Sequence, residues 1–223
     1  MDFDEFLIAC KERKLSDFLN TISPGDTISS PVHQKLWEYY KFFMITGGLP
    51  EVVKNFVHTK NNINEAFTQV RKIQKNIIKD YTDDISKHSG KIKSVKIKAV
   101  FNNIPLQLAK ETNGIRKFVF KDVLPENSRY SSLEAPIEWL IKAGLVLKVP
   151  IIKKVEIPLK AMTDEKKFKL YLFDCGILGC MLELSPEIIF TQDYGLYKGY
   201  FAENVVLPEL IKTFGDKRYT HGI

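Results

Sequence analysis

The sequence is poor in the residues that build metal and redox sites. Cys10, Cys175 and Cys180 are odd in number and show no CxxC spacing, so they read as reduced, mostly buried thiols and not as a disulfide framework or metal clamp. His33, His58, His88 and His221 are scattered without an HxxxH pair, which argues against a zinc site. No GxxxxGK[ST] stretch occurs. Without it no glycine loop cradles phosphates and no lysine reaches the terminal one, so ATP hydrolysis is not expected. Asp83–Asp84 resemble a magnesium-binding acidic pair, yet they fall inside a predicted helix and read as surface charges. No apolar run approaches the ~18 residues that would span a bilayer, and no charged-then-apolar leader precedes a cleavage site. The expectation is a cytoplasmic protein without a membrane partner. No internal repeat or low-complexity tract is present.

What the chain does have is positive charge, unevenly spread. Its 223 residues carry a net charge of +6, but residues 71–129 alone hold fourteen Lys/Arg against six acids, a balance of +8. Such a block suits a polyanion, because neutralising phosphates releases counterions and drives sequence-independent binding. A lysine-rich solvated surface is the plainer reading, and both stay open. The apolar share of 44% is enough for one large core or two small ones.

Hydrophobic spacing predicts a helix over residues 2–20, a turn-rich stretch from Thr21 to Ser30, and a second helix from about His33 to Thr46. Gly47-Gly48-Leu49-Pro50 ends that helix and restarts the chain. A short helix follows over Glu51–Val57, then the longest over about Asn64–His88, with an apolar stripe at Phe67, Val70, Ile73, Ile77, Tyr81 and Ile85. Beyond residue 90 the pattern predicts a helix over Lys91–Asn102 with its apolar face at Ile92, Val95, Ala99 and Val100, and a second short helix over Asn103–Glu111. Lys117–Phe120 reads as extended. Ser131-Ser132-Leu133-Glu134 fits a capping box for a helix that ends at Gly144. Two strand-like runs, Leu145–Ile152 and Lys167–Asp174, follow. Helix, helix, helix and then a β-hairpin is the order of a winged helix.

Several spaced stretches together resemble one family: bacterial and archaeal predicted ATPases in which an AAA-type ATPase domain precedes a C-terminal domain of unknown function. Met1–Leu7 resembles the segment directly after the ATPase domain, and Gly47–Val53 is similar to a signature turn. Tyr81, Asp84 and Lys87 match a spaced set at the end of the long helix. Ile104–Leu108 and Glu138–Leu140 match the winged-helix region. Phe168–Leu178 matches the wing and its exit, with Cys175 where valine is more usual. Lys198–Leu210 resembles the opening of a nuclease-like domain.

The resemblance implies an α+β, mainly helical fold in three parts: a helical lid-like unit over 1–90, a winged-helix domain over 91–180, and the truncated start of a restriction-endonuclease-like domain over 181–223. Glu203 stands where the first metal-holding glutamate of such a nuclease would be, without the later acid and Glu-x-Lys strands. ATP and magnesium belong only to the full-length relatives, so no cofactor is expected here. The expectation is a scaffold lacking both chemical ends: a non-catalytic fragment or remnant associated with duplex DNA. Arg129 and Ser131 would approach the bases, and Lys153, Lys154, Lys166 and Lys167 in or beside the wing would approach phosphates. Pro136 departs from a clean recognition helix. The alternatives are a protein-interaction module that docks on a separate ATPase partner or on itself, and a truncated, inactive nuclease.

Overall fold

Apolar residues recurring every three or four positions make most of the chain helical, with a small antiparallel sheet beside the helices. The computed structural model describes residues 1–23, 25–110, 117–124, 129–152, 156–158, 162–191 and 198–214. The elements are α1 (Phe3–Ala9), α2 (Arg13–Leu19), α3 (Ser30–Thr46), α4 (Pro50–Thr59), α5 (Ile63–Ser89), α6 (Lys91–Ala109), a 3-10 turn (Phe120–Asp122), α7 (Tyr130–Lys142), β1 (Val146–Ile152), β2 (Thr163–Leu172), α8 (Cys175–Met181), α9 (Pro186–Thr191) and α10 (Lys198–Phe214). They form two compact units: Met1–Ile78 with Asp174–Leu196, and Lys79–Phe173 with Tyr197–Ile223. Among the described residues no helix is long and apolar enough to cross a membrane.

In the first unit the single helix expected over 2–20 is two. Lys11 adopts a left-handed φ of 66° between α1 and α2, which no α-helix accommodates. Asp2 and Glu5 close a capping box at the start of α1, and Phe6 fits between Phe43 and Phe56. Phe42 stacks on Phe190 at 5.0 Å. Each ring buried this way contributes about 2–3 kcal/mol. α3 ends as expected at Gly47, whose φ of 70° suits glycine.

The turn after α3 meets the start of α8. Asp174 is buried; one carboxylate oxygen accepts from the Gly48 N–H at 2.7 Å and the other caps α8 through the Ile177 N–H at 2.9 Å. Gln74 of α5, fully buried, donates to the Ile45 and Thr46 carbonyls at 3.0 Å. Arg71, one turn away, donates to Gln74 Oε1, the Gly176 carbonyl and the Leu184 carbonyl. Polar side chains thereby satisfy helix-terminal carbonyls that would otherwise be buried and unpaired.

Burial raises the Asp174 carboxyl above the usual range, outweighing the lowering by its backbone N–H donors. A raised folded-state pKa stabilises most below the ordinary carboxylate value, and that stabilisation is lost as pH rises through the folded value. Asp174→Asn removes this titration and sets an amide donor against a backbone donor. Wild type is therefore expected to be more stable than the variant, by a margin that narrows as pH rises from about 4. Paired urea melts across that range check it; a margin that is flat or widens contradicts it.

In the second unit α6 corrects two expectations. It runs unbroken through Pro105, because Phe101, Ile104 and Leu108 are all buried on one stripe and their packing outweighs the one hydrogen bond that proline cannot donate. The buried face is Ile97, Val100, Phe101, Ile104 and Leu108, which leaves Ile92 82% and Val95 60% exposed. Across this stripe lie Leu133, Ile137 and Leu140 of α7, with Pro136 also buried within that helix. The capping box expected at Ser131–Glu134 is not formed. α7 starts two residues earlier, with Arg129 as its cap; Ser132 Oγ bonds back to the Arg129 carbonyl and Glu134 receives the Tyr130 hydroxyl. Gly144, at φ 72°, turns the chain into β1 as expected.

β1 and β2 pair antiparallel from Val146↔Leu172 to Ile152↔Thr163, with an irregularity between Pro150 and Ile152. Phe118 adds one backbone bond to the Phe168 carbonyl at 2.8 Å, so the stretch expected to be extended touches the sheet edge before entering the 3-10 turn. α10 locks onto β2. Fully buried Asn204 accepts from the Leu172 N–H at 2.9 Å and donates to the Leu172 carbonyl at 3.1 Å, a side-chain amide standing in for a neighbouring strand.

Candidate functional site

The basic residues singled out in the sequence fall into distinct settings within the second unit. Arg129 and Ser131 are exposed at the start of α7. Lys166, at the outer end of β2, lies 6.0 Å from the Tyr130 ring centroid, so the hairpin brings it beside Arg129 and Ser131. Lys167 pairs with Asp164 at 3.6 Å, a contact that ties up part of its charge. Lys153 and Lys154 lie outside the described residues.

The more concentrated charge is on α6, which holds four lysines and no acidic residue along its length. Among the described residues Lys93, Lys96 and Lys98 form no ion pair. Lys93 and Lys96 share a groove of about 360 Å³ with Ser132, Ala135, Pro136 and Trp139 of α7. The acids of α7 are engaged elsewhere: Glu138 pairs with Lys148 at 3.7 Å, and Glu134 takes the Tyr130 hydroxyl. Near the first turns of α7 lie Lys93 and Lys96, across the groove, Arg129 as the helix cap, and Lys166 at the Tyr130 ring.

Asp83 and Asp84 are exposed on α5, with Asp84 3.7 Å from Lys87. Glu203 on α10 is half-exposed. Its Oε2 receives Lys169 Nζ and the Tyr171 hydroxyl, each at 2.6 Å, and Lys169 is only 8% exposed. Burial, and then the bond to Glu203, hold the Tyr171 phenol above its usual range, so it stays a donor. The Lys169 ammonium also lies over the Tyr171 ring at 5.3 Å. The carboxylate thereby neutralises a buried ammonium and fastens α10 to β2. Among the described residues no three His, Cys, Asp or Glu side chains converge as a metal site.

Glu203→Gln leaves the Lys169 charge uncompensated. Breaking a buried pair costs about 3–5 kcal/mol, and solvent at the exposed side of Glu203 reduces this to about 2 kcal/mol. Urea unfolding followed at Trp139 reads the shift, and Lys169→Met together with Glu203→Gln should recover part of it. An unchanged midpoint in the single variant contradicts the assignment. Sequence reasoning noted Glu203 but missed Lys169, Tyr171 and Asn204. The Lys-x-Tyr spacing places both partners on one face of a strand, the only signal available in the sequence.

A family described as Domain of unknown function (DUF8612) matches residues 37–188, and the chain belongs to that family. The matched stretch runs from α3 into α9, so it includes the basic helix α6, α7 and the hairpin, and ends before Glu203 and Asn204. Comparison with curated proteins and with solved structures yields no match.

Proposed function

We propose that this chain is a non-catalytic nucleic-acid-associated module whose second unit holds duplex DNA through phosphate contacts. The observation that carries this reading is α6: a helix without acids on which Lys93, Lys96 and Lys98 are exposed or half-exposed and form no ion pairs among the described residues. Such charges gain from phosphates, since no internal partner must first be given up. Lys93, Lys96, Lys98, Arg129 and Lys166 are the proposed contacts, with Ser131 at the start of α7 nearest the bases. α7 followed by the hairpin is the order of a winged helix's recognition helix and wing, although the two helices expected before them are the single α6; the motif resemblance supports a scaffold derived from predicted AAA ATPases, with α10 as the opening of a nuclease-like domain. Glu134 and Glu138 on α7 oppose entry of that helix between the phosphate-lined walls of a groove, so the α6 lysines carry the reading and base readout does not.

The test is fluorescence anisotropy of a labelled duplex against salt. Four or five phosphate contacts predict a slope of log affinity on log salt of about −4, with little dependence on sequence. Binding that is absent at low salt, or insensitive to salt, overturns the reading.

A further inference from the structure

Ile92 is 82% exposed, at the lip of the groove between α6 and α7, and Val95 beside it is 60% exposed. Ala135, Pro136 and Trp139 form the facing wall, and Lys93 and Lys96 stand on the rim. None of the residues lining the groove is acidic. A large aliphatic side chain left this exposed beside an apolar cleft marks a contact surface more than a random surface position.

We infer that this groove takes an acidic amphipathic helix of a partner protein. Aliphatic anchors every three or four residues would fill the space between Ile92 and Trp139, and carboxylates flanking them would meet Lys93 and Lys96. The wall chemistry favours this occupant over a nucleic acid. Bases stack on aromatic faces and arginine planes; the groove has Trp139 and His88 but no arginine, and Ile92, Ile97, Ala135 and Pro136 supply an aliphatic surface suited to leucine-type anchors. A second copy of the chain is disfavoured by charge, since a net +6 molecule would present more cations to a cationic rim. The inference shares Lys93 and Lys96 with the duplex reading and adds the exposed apolar residues, so Ile92→Glu, which leaves both lysines in place, separates the two.

The experiment uses the full chain carrying Trp37→Phe, so that Trp139 alone reports. The probe is a synthetic helix of about four turns with leucines every three or four positions and glutamates between them. Trp139 emission should shift to the blue and saturate at micromolar peptide. Ile92→Glu, at a position too exposed to matter for folding, should weaken binding about tenfold or more. The same peptide with lysine for glutamate should not bind. Isothermal titration on the unaltered chain repeats the measurement without the tryptophan change. Failure of the acidic peptide to bind, or equal binding by Ile92→Glu, overturns the inference. A blue shift produced by raising protein concentration alone also overturns it, by assigning the groove to a second copy; so does a blue shift with duplex DNA that Ile92→Glu abolishes, which assigns the apolar groove itself to nucleic acid.

Discussion

Gly176→Ala is expected to destabilise the first unit by about 3 kcal/mol or more, a large fraction of the stability of a domain this size. A Cβ at this position would stand 2.4 Å from the Thr46 carbonyl oxygen and 2.5 Å from Gln74 Nε2. Neither neighbour is free to yield. Thr46 ends α3, and the Gln74 amide is bonded to two carbonyls in a fully buried site. Relieving the clash means moving α8 off α3 and losing the Arg71 bond to the Gly176 carbonyl. The comparison is Gly144→Ala, where the backbone is left-handed but a Cβ meets nothing within 4 Å. That variant should cost only about 1 kcal/mol. Urea unfolding read at Trp37 of α3 for the first and at Trp139 of α7 for the second separates the two. Equal, small effects would show that the close approach of α8 to the Gly47 turn is not a stabilising contact.

The second large effect concerns binding. On the proposed duplex reading, Lys93→Glu with Lys96→Glu removes two charge-assisted phosphate contacts and sets two carboxylates in their place. At about 1.4 kcal/mol per contact, the loss in duplex affinity is roughly a hundredfold, and the salt slope flattens by about two. The control is Lys14→Glu with Lys54→Glu, exposed lysines of the first unit. It changes net charge by the same amount, so it separates a local site from overall attraction. Anisotropy titrations at fixed salt should show the control within a few-fold of wild type. If the control and the α6 variant lose affinity equally, the charge acts as a whole and no site on α6 exists.

Local signals were read correctly where one residue decides the backbone. Gly47 and Gly144 both take positive φ where helix termination was expected, and the alternating run before Gly176 forms the second strand of the hairpin. Misreadings arose where two local signals competed. Pro105 suggested a break, but buried neighbours on both sides carry the helix across it. Ile92 and Val95 suggested a buried face, but the bulkier set of Ile97, Phe101, Ile104 and Leu108 claims the core. Ser131–Glu134 has the composition of a capping box, but the helix begins at Tyr130 and shifts both residues out of register.

What lay beyond the sequence is the pairing of distant stretches. The turn at Gly48 and the carboxylate of Asp174 were separate motifs, 126 residues apart, and only the fold shows that one caps the other. By resemblance Glu203 stands at the position of a nuclease glutamate, without the partners that would hold a metal. Its engagement by Lys169 and Tyr171, 34 and 32 residues away, depends on how α10 docks on β2, which no periodicity encodes. The basic block was legible as composition; its concentration on one acid-free helix beside a groove was not.

The central claim is that the second unit binds nucleic acid through phosphate neutralisation by α6 and the start of α7. The affinity of the full chain for one duplex across a salt series tests it most directly. The account predicts linear log–log behaviour with a slope of about −4, reduced to about −2 by Lys93→Glu with Lys96→Glu. A slope near zero, or one unchanged by that variant, would contradict it.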